Sequence, residues 1–153
     1  MKNFLFALVA FLLTAPMWAQ KYTTKDIKGN WKLVTYNVHG ASLDVMTGKA
    51  VLTEKMDDSP LMAAMGPKLI GDMESYTDNL RMSSLEITEN TFTQIIFDFM
   101  RNGTYKLTEE NGQQFISADF DNGTKDEIAF KFIDGKLCLF SVKGPKQYIY
   151  TKL

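Results

Sequence analysis

Acid–base or nucleophilic catalysis needs side chains that titrate or attack near neutral pH, and this chain is poorly supplied with them. His39 is the only histidine and Cys138 the only cysteine among 153 residues, and they stand far apart in the sequence. No His-Glu-x-x-His, Gly-x-Ser-x-Gly or phosphate-cradling glycine loop is present, and no Cys/His cluster offers the donors a transition metal requires. Asp119-Phe120-Asp121-Asn122-Gly123 has a superficial likeness to a calcium loop but lacks the spaced oxygens and closing glutamate of one. The inventory therefore reads as a non-catalytic protein with no cofactor and no metal. Converging carboxylates, the pair on which glycosidases rely, are the one enzymatic route left open.

Groups suited to binding are better represented. Lys146, Tyr148 and Tyr150 occupy alternate positions, so on a strand they share a face and can offer a cation and two hydroxyls to an anionic or polar head group. In the competing orientation that face looks outward, and Ile149 and Leu153 point in. Met56, Met62, Met65, Met73 and Met82 are five of the nine methionines. Their flexible thioethers, with Leu69, could repack around an apolar ligand as a lid, or could simply plug the end of a fold. Cys138, between Leu137 and Leu139, reads as buried filler.

These residues need a scaffold, and the second half of the chain is punctuated regularly enough to suggest one. Asn102-Gly103, Asn111-Gly112, Asn122-Gly123, Asp134-Gly135 and Gly144-Pro145 are spaced like hairpin turns, the Asn-Gly and Asp-Gly pairs tolerating the positive φ such turns demand. Between them apolar and polar residues alternate, as in Ile128, Phe130 and Phe132 against Glu127 and Lys131, the period of a half-buried strand. Strands are expected at about 31–38, 84–89, 91–99, 103–109, 113–119, 125–133, 136–142 and 146–152. His39-Gly40 ends the first of them, and a short strand pair is expected around Thr47-Gly48. Ser59 and Pro60 mark a helix start. Met62, Met65, Leu69, Met73, Tyr76 and Leu80 then form a stripe at helical spacing, interrupted near Gly66-Pro67, where the helix should kink or split. Eight antiparallel strands in sequential order can close edge to edge.

The first nineteen residues read as an export signal. Lys2 gives a positive start, Phe4 to Leu13 an apolar run too short to span a membrane, and Pro16 to Ala19 a cleavage segment. Residues 20–153 form one domain's worth of chain. Without Lys2 it carries 16 basic against 18 acidic side chains, a net charge of about −2, scattered along the chain. Nucleic acid is a poor partner for such a surface, and no stable membrane insertion is expected after cleavage. The lone cysteine leaves an exported chain without an internal disulfide, held by apolar burial.

Ile27-Lys28-Gly29-Asn30-Trp31-Lys32-Leu33 resembles the Gly-x-Trp opening of the first strand in the lipocalin-like, or calycin, proteins. The likeness covers most of residues 27–153 and implies an all-β, antiparallel up-and-down barrel of about eight strands, with a short helical insert after the first strand. Trp31 would plug one barrel end, under a basic side chain from the last strand, Lys146 or Lys152. Fatty-acid-binding proteins are more distant relatives with two helices between their first two strands; their Arg-x-Tyr carboxylate clamp is replaced here by Lys146-Gln147-Tyr148. By this resemblance the chain is expected to bind a small apolar or amphipathic molecule, with Trp31, Met62, Met65, Leu69, Lys146, Tyr148 and Tyr150 as candidate ligand contacts. The alternative is an envelope structural or interaction module whose barrel is filled by its own large side chains. Inward positions within 92–99, 115–120 and 128–140 decide between them.

Overall fold

The computed structural model describes residues 21–53, 60–141 and 144–153. The expected export signal, Met56 and the Ser59 cap lie outside the described residues. A short helix α1 (Thr24–Ile27) leads into β1 (Gly29–Val38), β2 (Ala41–Asp44), β3 (Lys49–Leu52), α2 (Pro60–Ser75) and α3 (Thr77–Arg81). Seven strands complete the chain: β4 (Ser84–Ile87), β5 (Thr91–Ile96), β6 (Phe99–Glu110), β7 (Gln113–Phe120), β8 (Lys125–Ile133), β9 (Lys136–Ser141) and β10 (Lys146–Lys152).

Each strand from β4 to β10 pairs with its neighbours in sequence, and β10 pairs back along β1 from Trp31↔Lys152 to Val38↔Lys146. With β4 on the other edge of β1, this closes an eight-stranded antiparallel up-and-down barrel carrying a helical insert between its first two strands. β1 is longer than the barrel needs. Its first residues pair with β4, Gly29↔Ile87 to Lys32↔Ser84, and its last pair with β2, Thr35↔Asp44 to Val38↔Ala41. The β10 register slips between Leu33 and Thr35 at the same point, so one extra residue bends the strand where it changes partner.

Helix α2 packs on the β2–β3 hairpin and α3 on β1. The helix does not split at Gly66-Pro67: α2 runs through Pro67, and the chain breaks at Tyr76 instead. The buried stripe is also displaced. Gly66, Met73, Thr77 and Leu80 are buried with Leu69 and Ile70 partly so, whereas Met65 and Tyr76 are about half exposed. Gly66 is buried where Met65 beside it is not, so the buried face of α2 lies one residue on from the expected stripe at this point.

Three turns follow local chemistry: His39-Gly40, Asn111-Gly112 and Asp134-Gly135 all have positive φ at both residues. Asn102-Gly103 does not turn. It lies inside β6, opposite Thr93 and Phe92, and the hairpin reverses at Phe97-Asp98, where Phe97 takes φ +56°. Gly103 serves a different need. A Cβ there would lie 2.2 Å from the Asp119 carbonyl oxygen and 2.6 Å from the Phe120 Cα.

Alternation puts Trp31, Leu33, Tyr36, Phe92, Ile116, Phe120, Ile128, Phe130, Leu137, Leu139 and Tyr150 in one buried core. The outward orientation of the last strand is overturned. Tyr150 is fully buried, Tyr148 packs against the core, and Ile149 shares the opposite face with its ladder partner Cys138. Cys138 is fully buried as expected.

Candidate functional site

The two ends of the barrel are built differently. At one end Trp31 is buried under α1, its indole N–H donating to the Ile27 carbonyl at 2.8 Å. Tyr22 and Phe132 pack around it, and Gln114 clamps the Tyr22 backbone through bonds of 2.7 and 2.9 Å. The Lys152 ammonium lies over the indole, 5.2 Å from the ring centroid, so Lys152 supplies the cation–π contact expected from the last strand. It runs where a Cβ on Gly29 would stand, 2.7 Å from the Lys152 Cε, and Gly29 has φ +143°. The Gly-x-Trp glycine thus leaves a channel for the lysine stem.

At the other end the barrel opens into a cleft of about 430 Å³. Ile96, Phe97 and Phe99 form its apolar side; Gln94, Arg101, Asp126, Ser141, Lys146 and Tyr148 form its polar side. The described residues of the helices do not line it. Its base is a hydrogen-bonded layer in which the Gln94 amide donates to the Tyr150 hydroxyl at 2.9 Å and the Arg101 guanidinium donates to the Gln94 carbonyl oxygen. Arg101 also pairs with Asp126 at 3.0 Å and stacks over Phe120 at 4.8 Å. Below this layer Phe92, Phe130, Leu137 and Leu139 are almost fully buried. The inward positions that decide between an open and a filled barrel are therefore mostly large, and the cleft lies above them at the mouth; a shallower one of about 460 Å³ lies outside the plugged end, beside Trp31, Phe132 and Lys152.

The rim is aromatic. Tyr36 stacks on Tyr148 at 5.4 Å, and Phe97 meets Tyr36 and Tyr76 edge-on at 6.4 and 5.6 Å. The Ser83 hydroxyl accepts from the Phe97 N–H at 3.3 Å, which helps hold a bulky residue in the left-handed region. Burial pushes the Tyr36 phenol up to about 12, with Tyr148 and Tyr76 adding to it. Burial also raises Tyr148 and Tyr150, and in both cases the nearby Arg101 charge pulls the other way. Tyr36, Tyr148 and Tyr150 are thus neutral hydroxyls under ordinary conditions, and the Arg101 charge acts on Tyr148 and Tyr150.

The residues singled out from the sequence are distributed between the two ends. Lys146 and Tyr148 line the cleft, Tyr150 lies in its base, and Trp31 sits at the closed end. Leu69 packs on the core from α2, Met65 on the same helix is exposed, and the side chain of Met62 lies outside the described part. Sequence reasoning missed Gln94, Arg101 and Asp126, which reach the cleft from three different strands. Their signal was present: each is a polar residue at a position where alternation calls for an apolar one, Gln94 between Phe92 and Ile96, Asp126 two before Ile128. Among the described residues no group of three or more His, Cys, Asp or Glu side chains gathers as a metal site. No protein-family model, no curated protein and no solved structure matches this chain.

Proposed function

We propose that this chain is an exported, lipocalin-like binding protein that holds a small apolar or amphipathic molecule in the mouth of its barrel and performs no chemistry on it. The observation that carries the reading is the cleft of about 430 Å³, within the usual size of small-molecule sites, with an apolar side facing a few convergent polar groups. Membership of the lipocalin-like group is supported by Gly29-x-Trp31, the closed barrel and the lysine over the indole. Export is supported by the charged and apolar pattern of residues 1–19. A non-catalytic role is supported by mouth hydroxyls that burial keeps neutral.

One observation favours the alternative, an envelope interaction module without a ligand: the lower barrel is packed with its own Phe and Leu side chains. Titration of the purified protein with phenylnaphthylamine, a neutral apolar fluorophore, separates the two. Saturable enhancement that a Phe97→Asp, Phe99→Asp variant loses is the expected result. No enhancement by this or any charged analogue, with no molecule co-purifying in native mass spectrometry, would leave the interaction module in its place.

A further inference from the structure

Resting on that reading of the mouth, we infer that Asp126 is a built-in stand-in for a ligand's head group: a small amphiphilic anion enters head-first, takes over the Arg101 guanidinium, and leaves its apolar part against Ile96, Phe97 and Phe99. Three features of the cleft lead there. The first is the position of the ion pair. Arg101 and Asp126 stand above a core of Phe92, Phe130, Leu137 and Leu139, with only 27% and 18% of their side chains exposed. A charge held at that depth loses hydration, and removing one partner leaves the other uncompensated. An arginine placed there needs an anion, and the chain supplies one from the adjoining wall of the cleft.

The second feature is the charge balance around the cleft. Among the described residues lining it are two cations, Arg101 and Lys146, and one carboxylate, Asp126, so this part of the mouth carries an excess of positive charge once Asp126 has neutralised one cation. Asp126 and Gln94 take two bonds from the guanidinium, whose planar fork has further donors for a carboxylate or sulfonate. A cationic amphiphile would meet repulsion from both Arg101 and Lys146.

The third is the order of polarity along the barrel axis. The deep wall of the cleft is the Gln94–Tyr150–Arg101 layer, and the outer wall is Phe97 and Phe99, the latter 64% exposed. A molecule matching both walls points its charged end inward. The depth of entry is bounded as well, because Phe92, Phe120 and Phe130 fill the space under the layer. The ligand class is therefore an amphiphilic anion whose head stops at the Gln94–Tyr150–Arg101 layer, and its apolar chain is shut out of the lumen below.

The test uses two probes that share an apolar body: anilinonaphthalene sulfonate, which is anionic, and phenylnaphthylamine, which is neutral. Asp126→Asn removes the competing carboxylate and should tighten the anionic probe by about tenfold, the equivalent of one charge-assisted contact. The neutral probe, which has no charge for the guanidinium to hold, should change by much less than the anionic one, so the ratio of the two affinities is the readout. The charge-balanced Arg101→Gln, Asp126→Asn variant should lose that gain and fall below the wild type for the anionic probe alone. Octanoate should displace the anionic probe, and octyltrimethylammonium at the same concentration should not. Unchanged or weaker binding of the anionic probe by a folded Asp126→Asn protein would overturn the inference while leaving neutral binding, and so the proposed function, intact. Failure of both probes to bind the wild type would remove both.

Discussion

Replacing Gly103 by alanine should be among the most damaging single-methyl changes this barrel can suffer. The added Cβ would sit 2.2 Å from the Asp119 carbonyl oxygen, 2.6 Å from the Phe120 Cα and 2.9 Å from the Asp119 carbonyl carbon. All three atoms belong to backbone, so no rotamer change relieves the contact and β6 must move away from β7. Gly103↔Phe120 is the last rung of that ladder, next to the Asp121 N–H bond to the Asn102 carbonyl, so the movement disturbs the rungs beside it. Overpacking a core costs typically about 1–3 kcal/mol, and with backbone as the obstacle the upper end, about 3 kcal/mol, is expected. For a domain of this size that is a fall in Tm of roughly 10 °C. Gly112→Ala is the internal control, having φ +78° but nothing within 4 Å, so it should cost only the left-handed backbone penalty of about 1–2 kcal/mol. Gly144→Ala, with neither problem, should be near neutral. Urea unfolding of the three variants gives the ranking. A Gly103→Ala protein as stable as Gly112→Ala would mean that β6 and β7 do not approach as described, and the account of Asn102-Gly103 would fall with it.

Other expectations follow from the polar layer and from the titrating groups. Tyr150→Phe strands the Gln94 amide in full burial and should cost about 1–3 kcal/mol. Combining it with Gln94→Leu should cost less than the sum of the two singles by about 1 kcal/mol, and strict additivity in urea melts would refute the bond. Because the Tyr36 phenol is raised to about 12, its contribution to stability is fully present below the ordinary tyrosine value of 10.0 and is lost as pH rises through the folded value. Spectroscopic titration at alkaline pH should therefore show Tyr36→Phe removing a late-ionising phenol, not an early one. Asp44 is held low, chiefly by the Thr47 backbone N–H and also by that of Met46. The stability it adds is present above 3.8 and disappears as pH falls through its lowered value. The gap in Tm between wild type and Asp44→Ala should accordingly close in acid; a gap that persists there would assign the effect to something other than the carboxylate.

What could be read from the chain before any coordinates depended on how local the cause was. Strand β8 is visible because Ile128, Phe130 and Phe132 alternate with charged residues, and the Asn111-Gly112 and Asp134-Gly135 turns are visible because two adjacent residues suffice to make them. Asn102-Gly103 misleads because its glycine answers to a neighbouring strand that arrives seventeen residues later. The true reversal at Phe97-Asp98 has no turn chemistry of its own; Tyr36, Tyr76 and the Ser83 hydroxyl impose it from elsewhere. In the same way Lys146 and Tyr148 could be placed together as neighbours on one strand, whereas the meeting of Gln94, Arg101 and Asp126 exists only once three strands have found their register. The displaced stripe on α2 shows the limit of hydrophobicity as a guide, since Gly66, which is buried where Met65 is not, has no side chain to count.

The order of pairing leaves β3 as the terminal strand, with a β2 partner on one side only. Such a margin is where one molecule would ordinarily recruit the next into a shared ribbon. Here the invitation is withdrawn: the strand is four residues long, begins with Lys49, and has its Ala50 N–H already taken at 3.1 Å by the Glu74 carboxylate of α2. The helix that looks like an ornament beside the mouth thus doubles as a hem, finishing the cut end of the sheet so that crowded copies of the chain can pass without stitching themselves together.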